Sequence, residues 1–322
     1  MKGPIRPMEM ESNPEPFDSP EHIFEVKWDG IRYLAFLDGG TRLQNRRLLD
    51  KTGRYPELQG LHRMVKAKEA ILDGEMVVLR EGKPSFQRAL ERDLQSDPRR
   101  AAALSHRLPA TYVAFDLLYL DGRPLVDRPL WERKRLLQEI VHPETAVEQA
   151  GGGGGKRVLE VPAFIEGRGR DLFAAVDQQG LEGIVAKEKE SKYLMGVKSR
   201  RWLKIKCRRR QLCVACGFTK GPRGLGALVL GAYRDGKLLP VGHAGSGITD
   251  REATSLLQKL EPARIDHHPF SVRPPRYREK EYWVKPELVV EIEYLEWTES
   301  LTLRSPVIKG FVDTPPEACI IP

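Results

Sequence analysis

Cysteine is scarce: Cys207, Cys213, Cys216 and Cys319 are the four thiols of a 322-residue chain, too few for a disulfide framework. Cys213 and Cys216 form the one C-x-x-C pair, and a structural zinc site needs a second pair nearby. On a strand across 212–218 these two thiols point to opposite faces, so they read as small buried hydrophobes. Long apolar runs are missing too. The N-terminal M-K-G-P-I-R-P-M-E-M contains no apolar core of the signal-peptide kind, and no later segment approaches membrane-spanning length. A cytoplasmic protein that avoids membranes is the expectation. Acidic residues are in the minority, 45 Asp+Glu against 53 Lys+Arg for a formal net charge of +8, which favours a polyanionic partner over an acid-seeking surface.

Such a length exceeds what one hydrophobic core usually serves, so two domains are expected. Residues 1–22, rich in Pro and Glu, read as an extended lead-in. F-E-V-K-W-D-G-I-R-Y-L-A-F-L-D-G-G then alternates like a hairpin or meander. Further strand-like runs cover 70–79, 111–120 and 183–187, with helical patterns around 86–104, 130–140 and 170–179. Five consecutive glycines at 151–155 suit a flexible surface loop; a phosphate loop would need a strand, a Lys and a helix in fixed order.

W-L-K-I-K-C-R-R-R closes the first half on a burst of positive charge, and the pattern then changes to short strands with Gly turns. The boundary is placed there, giving domains 1–209 and 210–322. In the second, A-L-V-L-G-A-Y and K-L-L-P-V-G-H flank Arg234-Asp235-Gly236, whose Asp-Gly step favours a tight hairpin turn. Residues 250–260 read as a helix and 288–297 as an alternating strand. Several strands with one helix suit a small closed β-barrel of the nucleic-acid-binding OB type.

The chemistry concentrates in E-V-K-W-D-G-I-R, where Lys27 stands between apolar neighbours. An exposed amine is protonated near neutral pH and attacks phosphorus only when nearby cations or a metal ion lower its pKa. By itself K-x-D-G also describes a solvated turn. In W-L-K-I-K, Lys204 and Lys206 share one face of a strand while Leu203 and Ile205 take the other. Paired ammonium groups repel unless an anion sits between them, and a phosphate would serve.

Four further segments follow in the order and approximate spacing of the covalent nucleotidyltransferases, and nearly the whole chain resembles ATP-dependent DNA ligases. The likeness is strongest to the ligase domain of bacterial DNA ligase D and its stand-alone relatives, through F-D-L-L-Y-L-D-G, G-R-Y-P-E-L and R-S-P-V-I-K-G. This resemblance implies an α+β fold: an ATP-grasp-like nucleotidyltransferase domain of antiparallel sheets with flanking helices, followed by an OB-fold β-barrel. It implies that Lys27 is the adenylated lysine and Arg32 the arginine that contacts nucleotide and DNA end. Glu25 joins the nucleotide-binding set. Arg46, in Q-N-R-R-L-L-D, corresponds to a family arginine, although Asn45 and Arg47 depart from the usual pattern.

By the same resemblance Glu75 of L-D-G-E-M-V holds the ribose or a metal-bound water, and Phe115 stacks on adenine. Glu182 of L-E-G-I-V-A-K is the second metal-associated carboxylate, with Lys187 close behind. Lys204 and Lys206 bind the α-phosphate. Arg304 and Lys309 orient the leaving pyrophosphate, although Ser305 and Ile308 depart from the family spelling. Glu75 and Glu182 would hold a hydrated magnesium or manganese ion, which takes few protein ligands. The implied cofactor is ATP, and AMP passes from Lys27 to a 5′-phosphate before the 3′-hydroxyl displaces it.

Nicked or broken duplex DNA is the implied partner. Relatives act in bacterial non-homologous end joining with Ku and a polymerase or primase, an analogy of family only. Without an extra N-terminal helical domain ahead of the catalytic unit, the chain reads as a separately made, monomeric ligase. An NAD-dependent ligase is disfavoured, since four cysteines cannot supply that family's zinc finger. Two alternatives stay open: an RNA ligase or RNA-capping guanylyltransferase of the same superfamily, and a non-catalytic OB-type nucleic-acid-binding protein.

Overall fold

The computed structural model describes residues 3–141, 147–148, 156–221 and 224–322. The chain divides into two compact units, Met1–Cys207 and Arg208–Pro322. The five-glycine run at 151–155 lies outside the described residues.

Two large sheets build the first unit, with a two-stranded pairing of Val147–Glu148 and Lys156–Arg157 besides. The larger runs Leu159–Glu160, Ala110–Leu120, Glu69–Arg80, Ile31–Asp38, Thr41–Asn45, with two short strands added at its margins. Its strand I-R-Y-L-A-F-L-D is apolar on both faces, and such a strand must be covered twice. Tyr33, Ala35 and Leu37 enter a core with Leu72 and Tyr112, roofed by Ala89, Leu104 and Leu137 from three helices. Those helices are Phe86–Leu94, Pro98–Arg107 and Leu130–Ile140. Leu34 and Phe36 point the other way, into a second core with Ile23 and Trp202 of the neighbouring sheet.

That neighbour has the order Glu9–Ser12, Lys198–Lys206, Gly183–Glu188, Ser19–Val26, Phe164–Gly167. Its outer face packs Phe24, Ile184, Ala186 and Ile205 on Val176 of the helix Gly169–Gln178. Two pairings, Glu9–Ser12 with Lys198–Lys206 and Leu159–Glu160 with Ala110–Leu120, are parallel within otherwise antiparallel sheets.

Two local expectations change. The helical stretch at 86–104 is two helices, because Gln95 is extended and Asp97 starts a new helix by accepting the Arg100 N–H at 2.9 Å, with Pro98 in its first turn. The lead-in is also less idle than its composition suggests. Ile5 and Met8 are buried, and Gln44 exchanges two side-chain hydrogen bonds with the Ile5 backbone.

The second unit is a six-stranded antiparallel sheet around the 13-residue strand Arg209–Gly221. Leu303 N–H donates to Val241 O and Ile308 N–H to Ser246 O, both at 2.8 Å, tying the region of the last strand to that of Lys237–Ala244. Asp235 and Gly236 both take positive φ in the hairpin turn, as a primed turn requires. The helix Asp250–Leu260 inserts Leu256 and Leu260 into the core. Cys213 and Cys216 are buried in separate clusters, the opposite-face arrangement that the strand periodicity predicts. Among the described residues, no helix is long and apolar enough to cross a membrane.

Gly183, the glycine of L-E-G-I-V-A-K, has φ +145, and a Cβ there would lie 2.1 Å from Ile205 O. Gly183→Ala is therefore expected to destabilise the first unit by about 1–3 kcal/mol, seen as a lowered urea midpoint. Gly60→Ala, whose added Cβ meets nothing within 4 Å, should leave that midpoint in place.

Candidate active site

Lys27 stands where the chain leaves one sheet for the other, between strands Ser19–Val26 and Ile31–Asp38. Its backbone N–H donates to Gly183 O at 2.8 Å, which pins this crossing to the neighbouring strand. Gly30 completes the turn where a Cβ would be 2.2 Å from Met76 O. The glycine of K-W-D-G is therefore required by backbone contact, while the lysine is not required by packing at all.

The Lys27 ammonium pairs with Glu182, whose other oxygen accepts from Lys206 Nζ at 2.8 Å. Burial works against the ionised form of Glu182, but Lys27 and Lys206 together outweigh it and hold the carboxyl below its ordinary range. Lys204 follows the same strand face. Burial, and then the charges of Lys206, Lys27 and Lys198, lower its ammonium pKa. Glu75 lies opposite Arg32 in the sheet register. Burial raises its carboxyl to about 8, an effect that Lys27 and Arg32 oppose and Glu182 and Asp73 reinforce.

Arg32 is fixed by a two-pronged pair with buried Asp73, at 2.9 and 2.5 Å, and Tyr193 donates its hydroxyl to Asp73 Oδ2 at 2.6 Å. Beside them a cavity is lined by Glu25, Lys27, Arg32, Glu75, Phe115 and Trp202, among others. The Lys187 ammonium lies 4.4 Å from the Phe115 ring centre and 4.5 Å from that of Trp202, in the corner of two rings that meet edge to face. The remaining free volume, about 40 Å³, admits water but no nucleotide base. Two buried polar atoms of lining residues, Trp28 Nε1 and Trp202 Nε1, have no hydrogen-bond partner, whereas Glu25 Oε1 is held 2.5 Å from Lys134 Nζ. Buried polar atoms are normally satisfied, so these orphans mark where a polar ligand would dock.

The structure thus gathers Glu25, Lys27, Arg32, Glu75, Phe115, Glu182, Lys204 and Lys206 around one place. It does not bring Arg46 there: that side chain is 65% exposed, pairs with Glu9 at 2.7 Å and lines a separate cleft with Arg6 and Arg47. Arg304 and Lys309 belong to the second unit, paired with Glu296 at 2.8 Å and Glu293 at 3.7 Å. Asp73, Lys134, Tyr193 and Trp202 were not singled out by the sequence reading. Only Asp73 left a signal, as an acid two residues before Glu75 and on the same strand face. No group of three potential metal ligands occurs among the described residues.

Residues 8–206 match the family model of the ATP dependent DNA ligase domain, and residues 221–313 that of the ATP dependent DNA ligase C terminal region. The multifunctional non-homologous end joining DNA repair protein LigD of Mycobacterium tuberculosis is 35% identical over 294 residues, covering 89% of this chain and 35% of that protein. A DNA ligase of Methanothermobacter thermautotrophicus is 30% identical over 306 residues, covering 90% of this chain and 52% of its own length. The chain therefore spans about a third of LigD. Mycobacterial DNA ligase D complexed with ATP and MES, a solved structure, aligns over 98% of both chains with a TM-score of 0.53 and 30% identity.

Folded Glu75 stays neutral up to about pH 8, whereas an exposed glutamate ionises near 4.5. The free protein should lose stability as pH rises between those values. Glu75→Gln removes that titration, so its melting temperature should exceed that of the wild type by more at pH 8 than at pH 5. An offset independent of pH would contradict this account of Glu75.

Proposed function

Since the chain belongs to the ATP-dependent DNA ligases, we propose that it seals breaks in duplex DNA through a covalent AMP carried on Lys27 Nζ. The observation that carries this reading is the placement of Lys27 among Lys204, Lys206 and Glu182, beside a cavity with two aromatic walls and orphaned polar atoms. The amine must first part from Glu182 and lose its proton. It then attacks the α-phosphorus: the P–N bond forms, the P–O bond to pyrophosphate breaks, and Lys204 and Lys206 stabilise the charge gathering on the phosphate oxygens. AMP passes next to a DNA 5′-phosphate, and the 3′-hydroxyl displaces it as the strand closes. Arg32 and Arg46 meet the DNA end, and Arg304 and Lys309 orient the pyrophosphate.

Glu75 and Glu182 would hold a magnesium or manganese ion together with phosphate oxygens, a donor set that suits a hydrated ion taking few protein ligands. A half-buried carboxyl whose pKa is raised to about 8, as at Glu75, fits a place where a cation restores the balance. Bound there, the ion supplies charge neutralisation during phosphoryl transfer. Selection of ATP over GTP falls to Glu25, whose carboxylate lines the cavity, suits the amino group of adenine and repels a carbonyl oxygen in its place. Broken ends are the proposed physiological substrate, with Ku and a polymerase or primase as partners, and the cytoplasm as the compartment. What supports the pathway is the end-joining function in the names of the LigD relatives.

Sealing of a nicked duplex tests the reading. Wild-type protein is expected to seal with ATP and magnesium but not with GTP. Lys27→Ala should lower sealing by roughly 10⁴-fold or more. Sealing driven by GTP alone, or sealing that survives in Lys27→Ala, would overturn the proposal. Addition of Ku should raise joining of broken ends more than joining of nicks.

A further inference from the structure

A second buried cation touches Glu25 from behind the cavity, and no sequence motif contains it. Lys134 lies on the helix Leu130–Ile140, in a stretch W-E-R-K-R that composition alone would place at the surface. Yet its side chain is only 2% exposed. Its Nζ is 2.5 Å from Glu25 Oε1 and donates to the Phe115 carbonyl at 3.3 Å. Oε1 is thus paired with Lys134, and as a carboxylate oxygen it has a second lone-pair direction open to another donor. The other oxygen, Oε2, accepts from Lys187 Nζ at 2.7 Å.

One carboxylate therefore carries two buried ammonium groups. Burying a lysine is costly unless it is paired, and Lys187 alone would neutralise Glu25. The neighbouring Arg133 is already matched by Asp116, at 2.8 and 2.9 Å, so it offers Lys134 no other carboxylate. The two lysines also differ in place. Lys187 lines the cavity and sits in the corner formed by the perpendicular rings of Phe115 and Trp202, whereas Lys134 is outside the cavity lining. A base stacking on the Phe115 ring from the side of Lys187 must displace that ammonium. Lys134 can remain.

We propose that Lys134 is a positioning residue for nucleotide selection: it keeps Glu25 ionised and aimed while Lys187 withdraws, so that Oε1 accepts the 6-amino group of adenine. With Lys134 absent, Lys187 is the sole counter-ion of Glu25 and its withdrawal strands a buried carboxylate, which opposes nucleotide entry. This inference rests on the ligase reading and on the role of Glu25 given above.

The test compares formation of the nucleotide adduct from ATP and from purine riboside triphosphate, which lacks the 6-amino group, in the full-length chain. Lys134→Met leaves the Glu25–Lys187 pair electrically balanced, so the fold should persist; sealing of pre-adenylated nicked DNA, which needs no free nucleotide, checks this. In Lys134→Met, KM for ATP should rise at least about tenfold with kcat nearly unchanged, and preference for ATP over the analogue should fall by a similar factor. Lys134→Arg should restore the preference. Glu25→Gln should lose it as well, and the Glu25→Gln, Lys134→Met double variant should lose no more than Glu25→Gln alone. That non-additivity reads the same coupling if the single Lys134 variant seals poorly. A Lys134→Met protein that seals pre-adenylated nicks and discriminates as the wild type does would overturn the inference and leave the ligase reading intact. Wild-type protein forming no adduct from any nucleotide would overturn both.

Discussion

The ion pair between Lys27 and Glu182 is the interaction on which the rest of the site depends. A lysine meant to attack phosphorus must be kept near other cations so that its proton can be lost, yet cations gathered in a half-buried place repel one another. Glu182 reconciles these demands by bridging Lys27 and Lys206. Lys204, on the same strand face, already feels the crowding as a lowered pKa. An entering triphosphate would replace Glu182 as the anion that all three ammonium groups surround. On the proposed function, Glu182 stands in the free protein where the phosphate would sit, and its release would be part of activation.

A similar substitution occurs at the base end of the cavity. Lys187 lies against both Phe115 and Trp202, favourable for a cation over aromatic rings. Arg32 approaches Phe115 as well, at 5.2 Å, while Asp73 fixes its guanidinium. Both ends of the site are therefore filled by the protein's own charges. The orphaned indole nitrogens of Trp28 and Trp202 leave the filling incomplete in the way a ligand pocket requires.

The two sheets explain how so many functional groups reach one place. Lys27 belongs to the turn that joins them, Glu25 to the strand before it and Arg32 to the strand after it. The strand Ile31–Asp38 was legible from the alternation around its Gly turns and the run 183–187 from its apolar residues, and the shared side of Lys204 and Lys206 follows from a period of two. The motif glycines were visible as residues, but their reason, close approach of Met76 O and Ile205 O, exists only once distant strands are paired. Lys134 was hidden because a lysine on an amphipathic helix reads as a solvated charge; only packing of that helix against Glu25 and Phe115 buries it. Arg46 shows the reverse. Its spacing matched a family position, while the local chain places it on the surface beside Glu9. The lead-in strand was obscured by Pro and Glu, which mask the buried Ile5 and Met8.

The central claim is that the Lys27 nitrogen becomes covalently attached to AMP. Mass spectrometry of peptides from protein first stripped of nucleotide, then treated with ATP and magnesium, tests it most directly. The account predicts one added AMP on the peptide that carries Lys27, sensitive to acid as a P–N bond is. Folded protein whose Lys27 peptide stays unmodified, or whose AMP is found on another residue, would contradict it.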